Sequence, residues 1–359
     1  MLINVIGEIS RRGGGQAYMK DLILSLHDSF KISLVTDAKN DPMDILPYVD
    51  KLVHVSYTYK ENQNYLKQIL LVLRLRNQLN NISFEDGLTI NNHPNIFLRR
   101  GDLNILHGFS FLDFIIDENG KIKNKFLFEI IKLSRIYKIY DNVIFIANSN
   151  YTKNLSIPLF SKLGITPKSV DVLYPTFRSD NALSEKESGI LSFQRINREK
   201  KLEIILEAAK KYNKRFIIAG AVNEGDQEYY RKLIREKTDN VDIVPNPTEG
   251  EKRNLFLTSK VFLHTNRKEH FGISVVEAMS HGLVPVVPKS GGPWVDITEK
   301  GKLGFGYSNN EELLQALDEA MKTTHVFQKE IADSTARFSF EQFRSHINSL
   351  VLTDNHKSV

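Results

Sequence analysis

The chain has 359 residues, of which 41% are apolar, 25% charged, 10% aromatic and none cysteine. At roughly 150 residues per domain this length predicts two domains, each able to bury a core, and the balance excludes a disordered, collagen-like or coiled-coil chain. The 48 Lys and Arg against 43 Asp and Glu leave a net +5, which falls short of the clustered excess of a dedicated nucleic-acid binder. The missing cysteines exclude disulfides, thiolate catalysis and Cys-ligated zinc.

The N-terminus lacks the basic start, long apolar stretch and cleavage site of a signal peptide. The longest aliphatic run, Ile69 to Leu73, is far below the roughly 20 residues that span a bilayer. The expected location is cytoplasmic, with any membrane contact peripheral and at the inner face. Near-continuous apolar runs predict parallel strands over 2–7, 31–36, 52–56, 103–107, 143–148 and 171–174, because strands covered on both faces lose the alternating pattern. Helical periods lie between them at 17–28, 63–79, 126–140 and 151–160. A polar stretch over 178–188 carries no period and reads as a linker. Alternation resumes with strands at 190–193, 215–219, 241–244, 261–264, 284–287 and 304–307 and helices at 199–212, 226–238, 250–258, 272–281 and 311–321, and a last helix covers 339–352. The pattern predicts an α/β chain of two Rossmann-like, doubly wound domains, 1–178 and 189–336, facing across a cleft, with 337–359 crossing back.

The densest motif is Glu269-His270-Phe271-Gly272-Ile273-Ser274-Val275-Val276-Glu277. Glu269 falls in the loop after a strand, Gly272 opens the next helix, and Glu277 sits more than a turn inside it. Free N–H groups at a helix start bind phosphate. A carboxylate within the helix can accept from ribose hydroxyls, and one in the loop can reach a sugar hydroxyl. Taken alone, the two carboxylates better suit surface charges flanking a helix start. Two further segments favour a ligand. Arg195 and Lys200 follow the first strand of the second domain, where α/β sheets bind ligands, and can neutralise a diphosphate. Gly291-Gly292 follows another strand and permits close backbone approach. In the first domain, Gly13-Gly14-Gly15 separates a strand from a helix, and His107 ends a strand, where structural and functional roles are equally open. No Asp-x-Asp clamp for a metal is present.

Over roughly 189–297, the Glu269–Glu277 segment, Ala278-Met279-x-x-Gly282, Gly291-Gly292, Arg195 with Lys200, and Ile217-Ile218-Ala219-Gly220 resemble the retaining glycosyltransferases of family 4, which have the GT-B fold. The resemblance implies a nucleoside-diphosphate-sugar donor in the second domain. Arg195 and Lys200 would hold the diphosphate, Phe271, Gly272 and Ile273 would line the helix start, Glu277 would bind ribose, and Glu269 would contact the donor sugar. It further implies that Gly14 and Gly15 belong to a loop near the phosphates and acceptor and that His107 faces the sugar. The implied reaction transfers a hexose, mannose or glucose type, with retention and without metal or cofactor, and a β-phosphate oxygen takes the acceptor proton. Glu269–Gly272 and Ser290–Pro293 are similar to GDP-mannose-dependent enzymes of lipid-linked oligosaccharides, which favours GDP-mannose over UDP-sugars. Two departures stand out: Lys201 replaces the family's usual glycine, and Arg12-Gly13 is an uncommon loop start. The alternatives are a sugar-nucleotide epimerase of GT-B shape and a non-catalytic sugar-nucleotide-binding protein.

The acceptor expected is a glycan, lipid-linked or on the cell surface. Residues 121–138 carry Lys121, Lys123, Lys125, Lys132, Arg135 and Lys138 against Glu129, and 63–79 is Leu-rich with Lys67, Arg74 and Arg76. Basic apolar helices of this kind can lie on an anionic bilayer. A basic face over a core-packed stripe is the competing reading for both.

Overall fold

The computed structural model describes residues 1–7, 14–37, 44–55, 65–82, 87–93, 97, 102–109, 111–139, 143–177 and 189–355. The chain forms two compact units, one of Met1–Thr176 with Phe340–Val359 and one of Phe177–Ser339.

The first unit is built on strands β1 (Leu2–Ile6), β2 (Lys31–Asp37), β3 (Lys51–Val55), β4 (Leu88–Asn91), β5 (Leu103–Leu106), β6 (Ile144–Ala147) and β7 (Ser169–Val172), with helices α1 (Gly14–Leu26), α2 (Tyr65–Asn81), α3 (Lys125–Ser134) and α4 (Asn150–Leu163). Its strands are parallel in the order β3-β2-β1-β4-β5-β6-β7. The second unit carries β8 (Ile190–Phe193), α5 (Glu203–Lys211), β9 (Phe216–Gly220), α6 (Gln227–Glu236), β10 (Val241–Pro245), α7 (Glu249–Thr258), β11 (Val261–Leu263), α8 (Ile273–Ser280), β12 (Val284–Pro288), β13 (Phe305–Tyr307), α9 (Asn310–Lys322) and α10 (His325–Ser334). These strands are parallel in the order β10-β9-β8-β11-β12-β13. Both orders run outward from a central switch point, β1 against β4 and β8 against β11. At such a point successive crossovers turn to opposite faces and the loops beyond the strands part to leave a crevice.

Local chemistry sets the element ends. Ser149 caps α4 by accepting from the Thr152 N–H, and Thr248 and Glu251 form a reciprocal capping box on α7. A last helix, α11 (Phe340–Asn355), packs on the first unit. Phe343, Ile347 and Val351, four apart, are buried beside Tyr18, Leu22 and Leu26 of α1. Each buried side chain of this kind contributes roughly 1.5–3 kcal/mol. At the rim Arg344 pairs with Asp28 at 2.6 Å.

Several sequence expectations are corrected. β4 was not foreseen, because its Thr89 and Asn91 are polar yet buried, with Asn91 bonded to Asn104 of β5 at 2.7 Å. α10 was also missed, having only Gln328 and Ile331 buried. α3 ends at Ser134 rather than 140, since Arg135 turns left-handed (φ 54°). The expected helix over 199–212 is divided: Arg198–Lys200 is a 3-10 turn, Lys201 is left-handed (φ 51°), and α5 starts at Glu203. The last helix begins at Phe340, one residue from expectation, and the segment that returns to the first unit starts there rather than at 337. Arg337 stays in the second unit, donating to the carbonyls of Asp296 and Ile297, and Phe338 packs edge-on to Phe271. On α2, Ile69, Val72, Leu75 and Leu79 are buried. Arg76 is buried with them and donates to the Phe97 and Arg135 carbonyls, so it is part of the core and not of a basic surface.

Candidate functional site

In the second unit the switch point gathers the motif residues. The chain leaving β8 supplies Arg195 and Lys200, and the chain leaving β11 supplies His264, Asn266 and Glu269. Lys200 closes the 3-10 turn that Asn197 caps, and its Nζ lies 2.5 Å from Glu269 Oε2. Asn266 Nδ2 lies 3.3 Å and His264 Nε2 3.7 Å from the same oxygen. Among the described residues nothing bonds Glu269 Oε1. Burial by itself would raise the Glu269 carboxyl, but the charges of Lys200 and His264 outweigh it and hold it down to about 2. The carboxylate is therefore ionised throughout the neutral range. Arg195 is exposed and makes no ion pair among the described residues, so its guanidinium is available to an incoming anion.

α8 begins at Gly272, which is left-handed (φ 105°), and no side chain caps the first turn. The leading N–H groups of the helix are therefore open to an anionic group. A side chain at Gly272 would be strained by that φ and would meet Pro293 at 2.9 Å, which explains the glycine. Ile273 is half-buried at the first helical position, while the Phe271 ring is buried against Phe338. Phe271 thus offers a ligand its backbone rather than its ring. The Gly291-Gly292 pair serves the protein itself. A Cβ on Gly292 would meet the His270 carbonyl oxygen at 2.2 Å, and the Gly292 N–H donates to the Glu269 carbonyl at 2.8 Å. The pair lets one loop of the site lie directly on the other.

Glu277 lies on the fifth residue of α8, and its Oε1 is 2.6 Å from Lys252 Nζ on α7. The Lys252 ammonium also sits over the Phe193 ring, 5.4 Å from its centroid. Sequence reasoning did not single out Lys252 or His264. Lys252 falls among surface-type charges of an amphipathic helix, and only its proximity in space to Glu277 marks it. His264 ends an expected strand, as His107 does, which was its one signal in the sequence.

In the first unit, His107 follows β5 and its Nε2 is 2.9 Å from Asn92 Oδ1, just beyond β4. The ring meets Tyr18 of α1 edge-on at 5.0 Å. Asn92 Nδ2 reaches the Gly15 carbonyl at 3.4 Å. His107, Asn92 and Gly15 therefore converge at the switch point of that sheet, with Gly14 opening α1. Among the described residues outside its own helical turn, no atom lies within 4 Å of where a Gly15 Cβ would stand. Gly13 and Arg12 lie outside the described residues. Among the described residues no group of three or more His, Asp or Glu is placed to hold a metal.

Comparison with known proteins agrees with this arrangement. The family described as Glycosyl transferases group 1 matches residues 174–335. A Dictyostelium discoideum GDP-Man:Man(3)GlcNAc(2)-PP-Dol alpha-1,2-mannosyltransferase is 32% identical over 162 residues, covering 41% of this chain and 32% of that protein. A Natranaerobius thermophilus glycogen synthase is 24% identical over 333 residues, covering 82% of this chain and 66% of that one. The chain spans about a third of the length of the mannosyltransferase it matches. In fold it is similar to Anabaena Alr3699/HepE in complex with UDP and glucose, with TM-score 0.69, 17% identity and 98% and 100% of the two chains covered. It is also similar to a Thermosynechococcus elongatus sucrose-phosphate synthase, with TM-score 0.74, 13% identity and both chains fully covered. Two parallel-sheet α/β units with these neighbours constitute the GT-B fold.

Proposed function

We propose, from the premise that residues 174–335 place this chain in the glycosyl transferases group 1 family, that it transfers a hexose from a nucleoside-diphosphate sugar to a glycan hydroxyl, with retention and without a metal. The observation that carries the reading is the convergence of Lys200, Glu269, Arg195 and the uncapped start of α8 at one switch point. Breaking the sugar–diphosphate bond leaves negative charge on the departing phosphate. Fixed cations and helix N–H groups aimed there stabilise it before any solvent must reorganise. Arg195, Lys200 and the α8 start supply that field. Glu269 Oε1 accepts from a hydroxyl of the sugar, and Glu277, anchored by Lys252, accepts from ribose. His107, Gly14 and Gly15 are assigned to the acceptor side on the family resemblance. The mannosyltransferase relatives favour GDP-mannose as donor and a lipid-linked acceptor, while the UDP-bound neighbour keeps UDP-sugars in the test.

The test is a panel of nucleotide sugars by thermal shift, where a ligand bound only by the native state raises the midpoint, followed by turnover with and without EDTA. GDP-mannose should raise the midpoint most. Failure of every nucleotide sugar to shift it would overturn the reading, and loss of turnover in EDTA would overturn its metal-free part.

A lipid-linked acceptor also requires a surface that meets the membrane at the inner face, and α3 has the chemistry for one. Phe126 (75% exposed) and Leu133 (78%) lie seven apart, hence on one side of the helix. Phe114 (70% exposed) stands beside its start, where Lys123 bonds the Ile115 carbonyl. Lys121, Lys123, Lys125, Lys132, Arg135 and Lys138 are exposed along the same segment, and the single acid Glu129 shares the side of Phe126 and Leu133. Apolar side chains among cations match an anionic bilayer. No helix among the described residues is long and apolar enough to cross a membrane. Vesicles containing phosphatidylglycerol should bind the protein at low salt, and a Phe126→Asp, Leu133→Asp double variant should bind less with turnover on a soluble acceptor intact. Equal binding by the double variant would remove this surface from the proposal.

A further inference from the structure

His264 follows β11 and is 1% exposed, and neither of its ring nitrogens makes a hydrogen bond of ordinary geometry. Its backbone is fully used: the N–H donates to Val286 and the carbonyl accepts from the Tyr307 hydroxyl at 2.9 Å. The backbone at His264 is therefore tied to both β12 and β13. Leaving a buried donor or acceptor unpartnered is unfavourable, a cost that a leucine at the same position would not incur. The ring faces the Glu269 carboxylate, with Nε2 at 3.7 Å from Oε2, and the Lys200 ammonium lies beyond it on the same oxygen.

We infer that His264 is a positioning residue for Glu269, donating its Nε2–H to Oε2 when Lys200 turns from the carboxylate to the donor diphosphate. Lys200, Asn266 and His264 all converge on Oε2, which makes it the anchored oxygen and leaves Oε1 for the sugar. Lys200 is the strongest of the three anchors and also the cation nearest to hand for a diphosphate. As its ammonium turns, a shift of well under 1 Å brings the imidazole into bonding range. Burial, opposed by Glu269 and by the Asn266 backbone and reinforced by the Lys200 charge, holds the ring down to about 4, so it is neutral at pH 7 with a single N–H to donate. The inference rests on the donor-site reading above.

Two measurements test it. In protein labelled with 15N-histidine, the His264 ring of the free protein should be the Nε2-protonated tautomer, with its resonances moved by Glu269→Gln. An Nδ1-protonated ring would overturn the inference, and this readout needs no donor or turnover. In the transferase assay, His264→Gln places an amide N–H near the Nε2 position and should keep kcat within about threefold of the parent. His264→Asn and His264→Leu should lose about ten- to a hundredfold in kcat with donor KM nearly unchanged, the pattern of an interaction that matters in the transition state. His264→Leu should hold or raise the melting temperature, so lost folding cannot mimic the effect, and His264→Met serves where Leu fails to fold. Parental kcat in the folded Leu or Met variant would overturn the inference. Absence of turnover in the parent would instead count against the donor-site reading and leave the tautomer result standing.

Discussion

The two units wind their sheets alike, but they furnish the two switch points with opposite chemistry. In the second unit the strand ends carry paired charges, Lys200 with Glu269 and Lys252 with Glu277. In the first they carry amides and an imidazole, Asn91 with Asn104 and Asn92 with His107. Their glycines differ in the same sense. Gly292 is pressed against the His270 carbonyl, whereas among the described residues no neighbouring element meets a Cβ at Gly15. A charged, backbone-braced crevice is suited to hold a diphosphate rigidly. An amide-lined one is suited to hydroxyl groups, which need hydrogen-bond partners but no counter-charge. One topology can thus host both halves of a transfer reaction, with the difference residing in a few side chains beyond the strands.

The sharpest way to break this contrast is Lys200→Ala. Turnover should fall about 10²–10³-fold, the usual loss for one fixed electrostatic partner, with the circular dichroism spectrum unchanged. His107→Ala should cost about tenfold, since it removes one hydrogen bond, and equal losses in the two variants would erase the distinction. Stability should also fall with acid in both units. His264 and His93 are each held by burial near 4, against 6.5 in the unfolded chain. The unfolded state therefore takes up more protons between those values. Each histidine leaves stability unchanged by pH above 6.5 and destabilises the fold as pH drops toward 4, by up to about 1.4 kcal/mol per pH unit. Denaturant titrations across that window should show the slope, and His264→Leu should remove its share.

Gly292→Ala should destabilise by about 1–3 kcal/mol through overpacking, while Gly15→Ala should stabilise α1 by about 0.5–1 kcal/mol. Opposite shifts in the urea midpoint check the pair, and shifts of one sign would mean the two glycine sites are built alike. On the ribose side, Lys252→Met should raise donor KM about tenfold with kcat little changed, and Glu277→Gln added to it should cost little more, because residues in one pair are not additive. Smallest is Lys201→Gly. Lysine occupies a left-handed backbone there, and glycine should recover about 1 kcal/mol, read as a higher melting temperature.

Much of the architecture was legible in the residue pattern. The strand over 190–193 coincides with β8, and the other described strands of the second unit lie within one residue of expectation at each end. Buried parallel strands are short apolar runs that few other structures require. β4 escaped because its polar Thr89 and Asn91 look solvated in sequence and become interior only through a partner, Asn104, thirteen residues away. At the site, the Glu269–Glu277 spacing and the Arg195–Lys200 pair were readable, since they follow local rules of strand ends and helix starts. Lys252 was not, and His264 was marked only by ending an expected strand.

The sequence by itself determined the alternation of elements, the division into two parallel-sheet units and the segments that leave the strand ends, because these depend on periods of a few residues and on local backbone preference. Only the tertiary structure decided which charges meet. It buried Arg76 and left Phe126 outside, and it turned Gly292 inward against His270. It brought Lys252 to Glu277 and His264 to Glu269. Those outcomes depend on contacts between separate elements and on the desolvation they impose, and no local pattern in the chain encodes either.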